Sequence, residues 1–437
     1  MDAPAETAAI TSADQSAGEE APRHRSAAGR AVSALGVVRT RHPAVIFVLA
    51  LVCGLIASSI VIVVSTAQVR SAWGHLFTDP GAAFSVTFDF LGSAYGALLK
   101  GAIANPAAFS RAFQYPSLAT WSQALTPLGN TIVSAVPLII TGLGLSLAYR
   151  SGAFNMGGQS QLILGAVAAS WVGFSFTGLP WLPHVLLAFA AAAVGGALAG
   201  LIPGVLKAVT GASEVIVTIM LNYIMIYFLT YLLSFGYLMQ APHNSNQITS
   251  PIAGNAHLPL LFGSHLRINA GFLIALACAA GVWWLLNRTT TGFEFRSIGK
   301  NPSAARVAGM NVERTWVLVM LIAGGLAGLS GATVIQGTDF TLNFQSYGTY
   351  GIDAITVALL GLGRPLGVVL AGLFFGALHA GAPLMQSVTG TPVDMVQVLQ
   401  GATVLFVAAP LLVRTMYNLR AAKAAGVGGV MSKGWNA

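Results

Sequence analysis

Charged side chains are scarce in this sequence of 437 residues. Only 8% of the residues are Asp, Glu, Lys or Arg, whereas 55% are hydrophobic. Soluble domains carry about 25% charged residues, so this composition excludes an ordinary soluble protein and predicts a multi-span membrane protein. The net charge of +8 comes mostly from the tails and one loop. That distribution is typical of membrane topology rather than of nucleic-acid binding.

Motifs for metals, disulfides and nucleotides are also missing. The two cysteines, Cys53 and Cys278, lie in apolar runs and are best interpreted as small buried hydrophobic residues. The nearest stretch to a Walker A loop begins at Gly292, is two residues too long, and has Asn301 where Ser or Thr must bind magnesium. No apolar run has an unpaired carboxylate near its centre, as ion-coupled carriers usually need. We expect no catalytic residue, metal or cofactor, and transport would need energy from a partner.

Hydropathy divides the chain into three regions. Residues 1–42 are predicted to be a disordered cytoplasmic tail, residues 43–416 a transmembrane domain, and residues 417–437 a cytoplasmic C-terminal tail. About ten apolar runs are candidate spans, and they lie at 44–67, 128–149, 157–177, 183–206, 215–238, 270–287, 315–335, 352–363, 366–386 and 395–413. The eighth run has only about 12 residues, so we expect it to be re-entrant or broken.

Positive charges between the runs predict the topology. With the N-terminus inside, the cytoplasmic gaps contain Arg150, Lys207, Arg364 and the basic loop 288–314. The sequence therefore predicts an all-α bundle of about ten transmembrane helices with both termini in the cytoplasm, and an eight-span alternative also keeps both ends inside. In the long gap after the first run, residues 90–104 are expected to lie along the membrane surface. Residues 239–268 are expected to form a cap outside the membrane.

Two polar stretches interrupt the apolar pattern. In "YRSGAFNMGGQSQ", residues 149–161, glycines separate two runs and Asn155, Gln159 and Gln161 follow closely. Such a stretch is either a broken backbone that lines a cavity or an ordinary tight turn. In "GASEVIVTIMLNYI", residues 211–224, polar residues recur every four positions and share one helix face.

Each of these polar residues has a predicted role. Glu214 lies at a helix N-terminus, where the dipole favours a carboxylate, and Asp353 could cap the short eighth helix. Thr218 and Asn222 line the substrate pathway or hydrogen-bond another helix. We predict that the substrate pathway includes five polar residues, Asn155, Gln159, Gln161, Thr218 and Asn222.

A short helix with complete end signals lies in the basic loop, at "GKNPSAARVAG", residues 299–309. Asn301 is a good N-cap, Pro302 suits the first helical position, and Gly309 suits a left-handed C-terminus. Two turns are too few for stability in water alone, so we expect a docking element rather than an ordinary solvated loop. Its predicted coupling residues are Asn301, Pro302, Ala304, Ala305, Arg306 and Gly309, and Ala308 extends the small face. Ala305→Glu is expected to block docking and abolish uptake.

Five motifs together carry a family resemblance. They are "PLIITGL" at 137–143, "RSGAFNMGGQSQ" at 150–161, "GASEVIVTIMLNYI" at 211–224, "GKNPSAARVAGM" at 299–310 and "YGIDAITVALLGLGRPLG" at 350–367. Their order and sequence resemble the membrane permease subunits of bacterial ABC importers for branched-chain amino acids, simple sugars and nucleosides, and most of all the nucleoside branch. Gln159, Ser160 and Ser213 depart from the Glu, Gly and Asn of the family pattern.

The resemblance implies a type II ABC importer permease in a bacterial cytoplasmic membrane, which is not itself an enzyme. It would form half of a translocation pathway, with spans two to five and seven to ten around a central cavity, and would pair with a related or identical permease. A cytoplasmic ATPase would receive the helix at 302–308, and an extracytoplasmic solute-binding lipoprotein would dock outside. The expected solute is a nucleoside, with a simple sugar as the alternative. The other possibility is an autonomous secondary carrier or channel.

Overall fold

The computed structural model describes residues 43–236, 238–263 and 266–408, and the two predicted tails lie outside them. The described residues form α-helices joined by loops, with β-pairing limited to isolated bridges. In chain order the helices are α1 Pro43–Ser65, α2 Ala67–Trp73, α3 Pro80–Ala102, α4 Pro106–Gln114, α5 Leu118–Arg150, α6 Gly158–Ser175, α7 Trp181–Thr210, α8 Glu214–Leu233, α9 Gly271–Arg288, α10 Thr290–Lys300, α11 Pro302–Val307, α12 Val312–Val334, α13 Tyr350–Leu360, α14 Pro365–Thr389 and α15 Asp394–Ala408.

The all-α polytopic fold is confirmed, but the count of ten spans is not. Among the described residues, seven helices are long and apolar enough to cross a bilayer: α3, α5, α7, α8, α9, α14, and α12 with the π-helical turn that extends it to Asp339. The pair α1 and α2, bent by 83°, makes an eighth candidate. Each of the ten predicted runs contains a helix, although α13 has only 11 residues, as its short apolar run predicted.

Helix α3 differs from the surface helix expected at residues 90–104. It is 23 residues long because Asp79 caps it ten residues earlier, accepting a hydrogen bond from the backbone N–H of Ala82 (3.0 Å). Its second half packs against α14, where a Cβ on Gly101 would lie 3.1 Å from the Cα of Gly381. This length and packing fit a span better than a helix on the membrane surface.

Helices α7 and α12 cross with their backbones in close contact. Gly196 and Gly200 of α7 face Gly324 and Gly328 of α12, and a Cβ on Gly196 would lie only 2.2 Å from the carbonyl oxygen of Gly324. Small residues four apart let two backbones approach closely, a common form of helix packing in lipid. Beside this crossing, the buried middle of α5 packs against α9, α12, α13 and α14.

The bundle has two distinct ends. At one end, which we call the coupling end because it carries the predicted coupling residues, Arg150 of α5 meets Gly299 of α10, and a Cβ on Gly363 would lie 3.2 Å from the Arg150 Nε. At the opposite end, which we call the cap end, the loop between α8 and α9 crosses the ends of α6 and α12. There the backbone N–H of Ala253 donates to the carbonyl of Gly173 (2.9 Å). The loop predicted to be a cap therefore covers one end of the bundle.

Candidate functional site

The chain re-enters the bundle between α5 and α6. Residues 151–157 are not helical, and α6 begins at Gly158. A Cβ on Gly158 would lie 3.2 Å from Thr141 Cγ2 and 3.3 Å from Leu145 Cδ1. These partners precede Arg150, the last residue of α5, by nine and five residues, so α6 starts roughly 8–14 Å inside the bundle. Residues 151–161, which we call the re-entrant segment, are therefore a broken backbone within the bundle and not a turn at its surface.

Two buried amides stabilise the turn of the re-entrant segment. The Nδ2 of Asn155 donates to Gln161 Oε1 and the Nε2 of Gln161 donates to Asn155 Oδ1, each at 3.2 Å. Asn155 Oδ1 also accepts from the backbone N–H of Gly157 (2.8 Å). Both side chains are fully buried, where an unpaired amide would cost about 1–3 kcal/mol. The reciprocal pair satisfies this requirement and links the non-helical stretch to the first turn of α6.

Gln159 joins the re-entrant segment to the start of α13. Its Nε2 donates to the carbonyl of Gly348 (3.1 Å), and its Oε1 accepts from the backbone N–H of Gly351 (2.9 Å). A Cβ on Gly351 would lie 2.3 Å from the Gln159 Cα, so the two backbones touch. An ionised carboxylate at position 159 could accept the second bond but could not donate the first. Gln159, which departs from the family pattern, thus makes both hydrogen bonds.

The polar face of α8 is hydrogen-bonded to the backbone of the re-entrant segment at three successive helical turns. Glu214 Oε1 accepts from the N–H of residue 154 (3.1 Å), and Thr218 Oγ1 accepts from the N–H of residue 156 (3.2 Å). Asn222 Oδ1 accepts from the N–H of residue 160, and its Nδ2 donates to the carbonyl of residue 156, both at 2.9 Å. The spacing of four therefore aligns three side chains against one irregular backbone. This arrangement satisfies groups that have no helical partner.

Lys207 completes this arrangement, although in the sequence it indicates only topology. Its Nζ lies 2.5 Å from Glu214 Oε1 and 4.6 Å from the centre of the Trp316 ring. Both partners of the ion pair are mostly buried, so the carboxylate that binds the re-entrant segment has its charge compensated. Lys207 precedes Glu214 by seven residues across a turn, and that spacing by itself carries no strong signal.

The five predicted pathway residues come together in this one place. Asn155, Gln159, Gln161 and Thr218 are buried and Asn222 is half-buried. Their polar groups bind the chain itself, so the geometry assigns them to the support of the re-entrant segment. Direct contact of these side chains with a solute stays a prediction.

Asp353 differs from the predicted helix cap. Its Oδ2 accepts from Thr349 Oγ1 (2.6 Å) and lies 3.0 Å from His379 Nε2, so it binds two side chains rather than backbone N–H groups. His379, in the middle of α14, was missed because 26 residues separate the pair. The described residues contain no group of three His, Cys, Asp or Glu side chains close enough to hold a metal.

The short helix of the basic loop is present as α11. Asn301 Oδ1 accepts from the N–H of Ala304 (3.1 Å), and Pro302 occupies the first turn. Gly309 has φ of +85°, and its N–H donates to the carbonyl of Arg306 (3.0 Å). The next N–H reaches the carbonyl of Ala305 (3.0 Å). These two bonds form a Schellman motif, so both ends of α11 are closed as its sequence predicts.

Ala305 does not lie on the exposed face of α11, which corrects the predicted docking face. It is only 4% exposed and packs against Ile298 and Val312, because a two-turn helix needs one anchor in the protein beneath it. A glutamate at 305 would bury a carboxylate instead of simply blocking a partner. Ala304 remains exposed, and Val307 is 91% exposed.

Two neighbours of α11 complete the coupling end. Arg306 pairs with Glu313 in the first turn of α12, and both side chains are largely exposed. The sequence predicted one helix in this loop, but α10 precedes it, capped by Thr289, whose Oγ1 accepts from the N–H of Gly292 (3.0 Å). A Cβ on Gly299 would lie 2.0 Å from the Arg150 carbonyl oxygen, so α10 packs directly on the end of α5.

Comparison with known proteins finds permeases of ABC transporters. The guanosine ABC transporter permease protein NupP of Bacillus subtilis is 36% identical over 66% of this chain and 82% of its own length. The nucleoside permease NupB of Lactococcus lactis is 36% identical over 66% and 81%. The glucose permease TsgB13 of Haloferax volcanii is 34% identical over 64% and 75%. No solved structure matches the chain.

The profile of one family covers the whole region that contains the site. It matches residues 128–408, from the buried half of α5 to the end of α15, and its description is the permease component of the branched-chain amino acid transport system. Since this match spans more than half of the sequence and includes every predicted site residue, the chain belongs to the family of branched-chain amino acid transport system permease components.

Proposed function

We propose that this chain is the permease subunit of an ATP-driven nucleoside importer. The observation that carries the proposal is the similarity to the guanosine and nucleoside permeases, at 36% identity over about four-fifths of their length. Family members are subunits of ABC transporters and are not enzymes themselves. A separate ATPase therefore supplies the energy, and this chain contributes half of the translocation pathway.

A continuous set of contacts supports mechanical coupling through this chain. Helix α11 is anchored through Ala305 beneath α10, and α10 packs through Gly299 on the end of α5. The re-entrant segment starts at that same point and is hydrogen-bonded to α8 at Glu214, Thr218 and Asn222. A push on α11 would therefore reach α8 through packed backbone and hydrogen bonds, as alternating access requires.

We propose the following partners and topology. A cytoplasmic ATPase receives α11, so the coupling end faces the cytoplasm, as do both termini. A second permease, related or identical, completes the pathway, and an extracytoplasmic solute-binding lipoprotein docks at the cap end. The cargo is a small solute, and no nucleic acid takes part. The complex lies in a bacterial cytoplasmic membrane, with residues 43–416 as its permease domain and the segments 1–42 and 417–437 as tails.

Uptake of radiolabelled guanosine by the complete transporter in cells tests the solute class. We expect excess unlabelled adenosine or uridine to suppress uptake, whereas ribose, glucose and leucine leave it nearly unchanged. Suppression by leucine alone, or no guanosine uptake at all, would contradict the proposal. Because the glucose permease TsgB13 is 34% identical, a simple sugar is the second candidate, and uptake of radiolabelled ribose or glucose that excess nucleosides leave unchanged would favour it.

Reconstitution tests the energy source. The complete transporter in proteoliposomes should accumulate guanosine only with ATP, and the chain without its ATPase should transport none. Flux through the chain alone, driven by a solute gradient, would instead identify an autonomous carrier.

A further inference from the structure

A second face of α8 carries three regularly spaced tyrosines. Tyr223, Tyr227 and Tyr231 are separated by four residues, and all three are exposed. Tyr227, which is 72% exposed, lies nine residues after Thr218, or about two and a half helical turns. These three residues, which we call the tyrosine face, therefore point away from the re-entrant segment. The opposite face of α8 is hydrogen-bonded to that segment.

The hydroxyl groups of the tyrosine face have no partner among the described residues. Other tyrosines do: the Tyr95 hydroxyl lies 3.0 Å from Ser59 Oγ, and the Tyr149 hydroxyl donates to the Asn155 carbonyl (3.3 Å). A hydroxyl without a partner is costly in hydrocarbon, where no water can replace the hydrogen bond. The tyrosine face therefore needs a polar environment that the described part of the chain does not provide.

A membrane-interface belt explains only part of this face. Helix α8 has 20 residues, or about 30 Å, and Tyr223 lies about 14 Å from its start. That position is near the middle of a bilayer, whereas aromatic belts lie at its two surfaces. By contrast, the exposed side chains of α7 are aliphatic along most of its length, for example Val194, Leu198 and Ile202. Such a surface suits lipid, whereas the tyrosine face adds hydroxyl groups to exposed apolar side chains such as Met220.

We propose that the tyrosine face lines the solute pathway and binds nucleosides in transit. This inference rests on the proposed function and deepens it. Each ring offers a π-surface on which a base can stack, and each hydroxyl can exchange hydrogen bonds with ribose or with water in the pathway. Since α8 is hydrogen-bonded to the re-entrant segment, movement of the coupling end also moves this face.

Substitutions at Tyr227 in the complete transporter test this role. Tyr227→Phe removes only the hydroxyl, and we expect kcat/KM for guanosine uptake to fall about three- to tenfold, the effect of one lost hydrogen bond. Tyr227→Leu also removes the ring and should lower it about tenfold or more. Tyr115→Phe is the control, because Tyr115 is similarly exposed at 71% but lies outside α8. Values within twofold of the wild type for both Tyr227 variants, at equal membrane abundance, would overturn the proposal.

Cysteine accessibility distinguishes a pathway from a covered surface. In a background in which Cys53 and Cys278 are replaced by alanine, Tyr223→Cys and Tyr227→Cys are treated with a charged, water-soluble methanethiosulfonate. We expect rapid modification that guanosine slows, because only a hydrated thiol forms the reactive thiolate. Leu198→Cys on α7, the control, should stay unmodified.

Slow modification of both tyrosine positions, as slow as that of the control, would show that lipid or a second subunit covers the face and would overturn the inference. Rapid modification that no transported solute slows would also overturn it. If the wild type imports ribose and not guanosine, the proposed function fails separately. The accessibility experiment with ribose as the protecting solute then still tests whether the tyrosine face lines the pathway.

Discussion

Asn222→Leu should loosen the re-entrant segment, because leucine has nearly the same shape but no polar group. The side chain of Asn222 is the partner of two backbone groups, the N–H of Ser160 and the carbonyl of Met156, both at 2.9 Å. Each buried backbone group that loses its partner costs about 1–3 kcal/mol. Since the site is half-buried, we expect a local loss of about 2–4 kcal/mol, in the lower part of the summed range.

Hydrogen exchange measures this loss directly. Opening of residues 154–161 should become roughly 30- to 700-fold more frequent, since each 1.4 kcal/mol is a factor of ten. The assay compares deuterium uptake of this peptide in the wild-type and variant full-length protein. Thr230→Val is the matched control, because the Thr230 hydroxyl donates to the carbonyl of Ile226 in its own helix (2.9 Å). It should leave exchange in residues 154–161 unchanged.

The combination of exchange and uptake decides what Asn222 does. If exchange in 154–161 rises and guanosine uptake falls, the residue acts by holding the re-entrant segment. If exchange stays within threefold of the wild type while uptake falls, Asn222 contacts the solute and the structural reasoning is wrong. Unchanged exchange with unchanged uptake would refute both roles.

Two further predictions concern the coupling end and the helix crossing. Val307→Glu should reduce ATP-dependent uptake at least tenfold with normal membrane abundance, since the side chain is 91% exposed. Ala305→Glu should instead lower membrane abundance, because it buries a carboxylate. Uptake is measured together with immunoblots of membrane abundance, and normal uptake by Val307→Glu would reject docking at α11. Gly324→Ala should destabilise the protein by about 1–3 kcal/mol, because its Cβ would lie 2.3 Å from the Gly196 carbonyl oxygen. A thermal unfolding scan checks this against Gly281→Ala, where a Cβ meets nothing within 4 Å, and equal melting of the two variants would contradict the assigned packing.

Local signals in the sequence were sufficient where the structure depends on neighbouring residues. The caps Asn301 and Gly309 predicted both ends of α11, because capping bonds form within one or two turns. The spacing of Glu214, Thr218 and Asn222 predicted a common helix face, since helical periodicity is a property of the chain itself. The short apolar run at 352–363 likewise predicted a short helix, and α13 has 11 residues. Long apolar runs predicted the membrane-spanning helices, because the length of an apolar run is also a local property of the sequence.

Only the tertiary structure decided which way these faces point. The polar face of α8 holds the re-entrant segment, and its tyrosines point the other way, because a periodic pattern does not say what lies opposite it. Ala305 is buried although Ala304 is exposed, because the residues beneath α11 determine which side of this helix packs against the protein. Asp353 pairs with a histidine 26 residues away because packing brings α13 beside α14. The sequence by itself determined the helices and their periodic faces. The contacts between distant segments determined which face of a helix binds another segment and which face stays exposed.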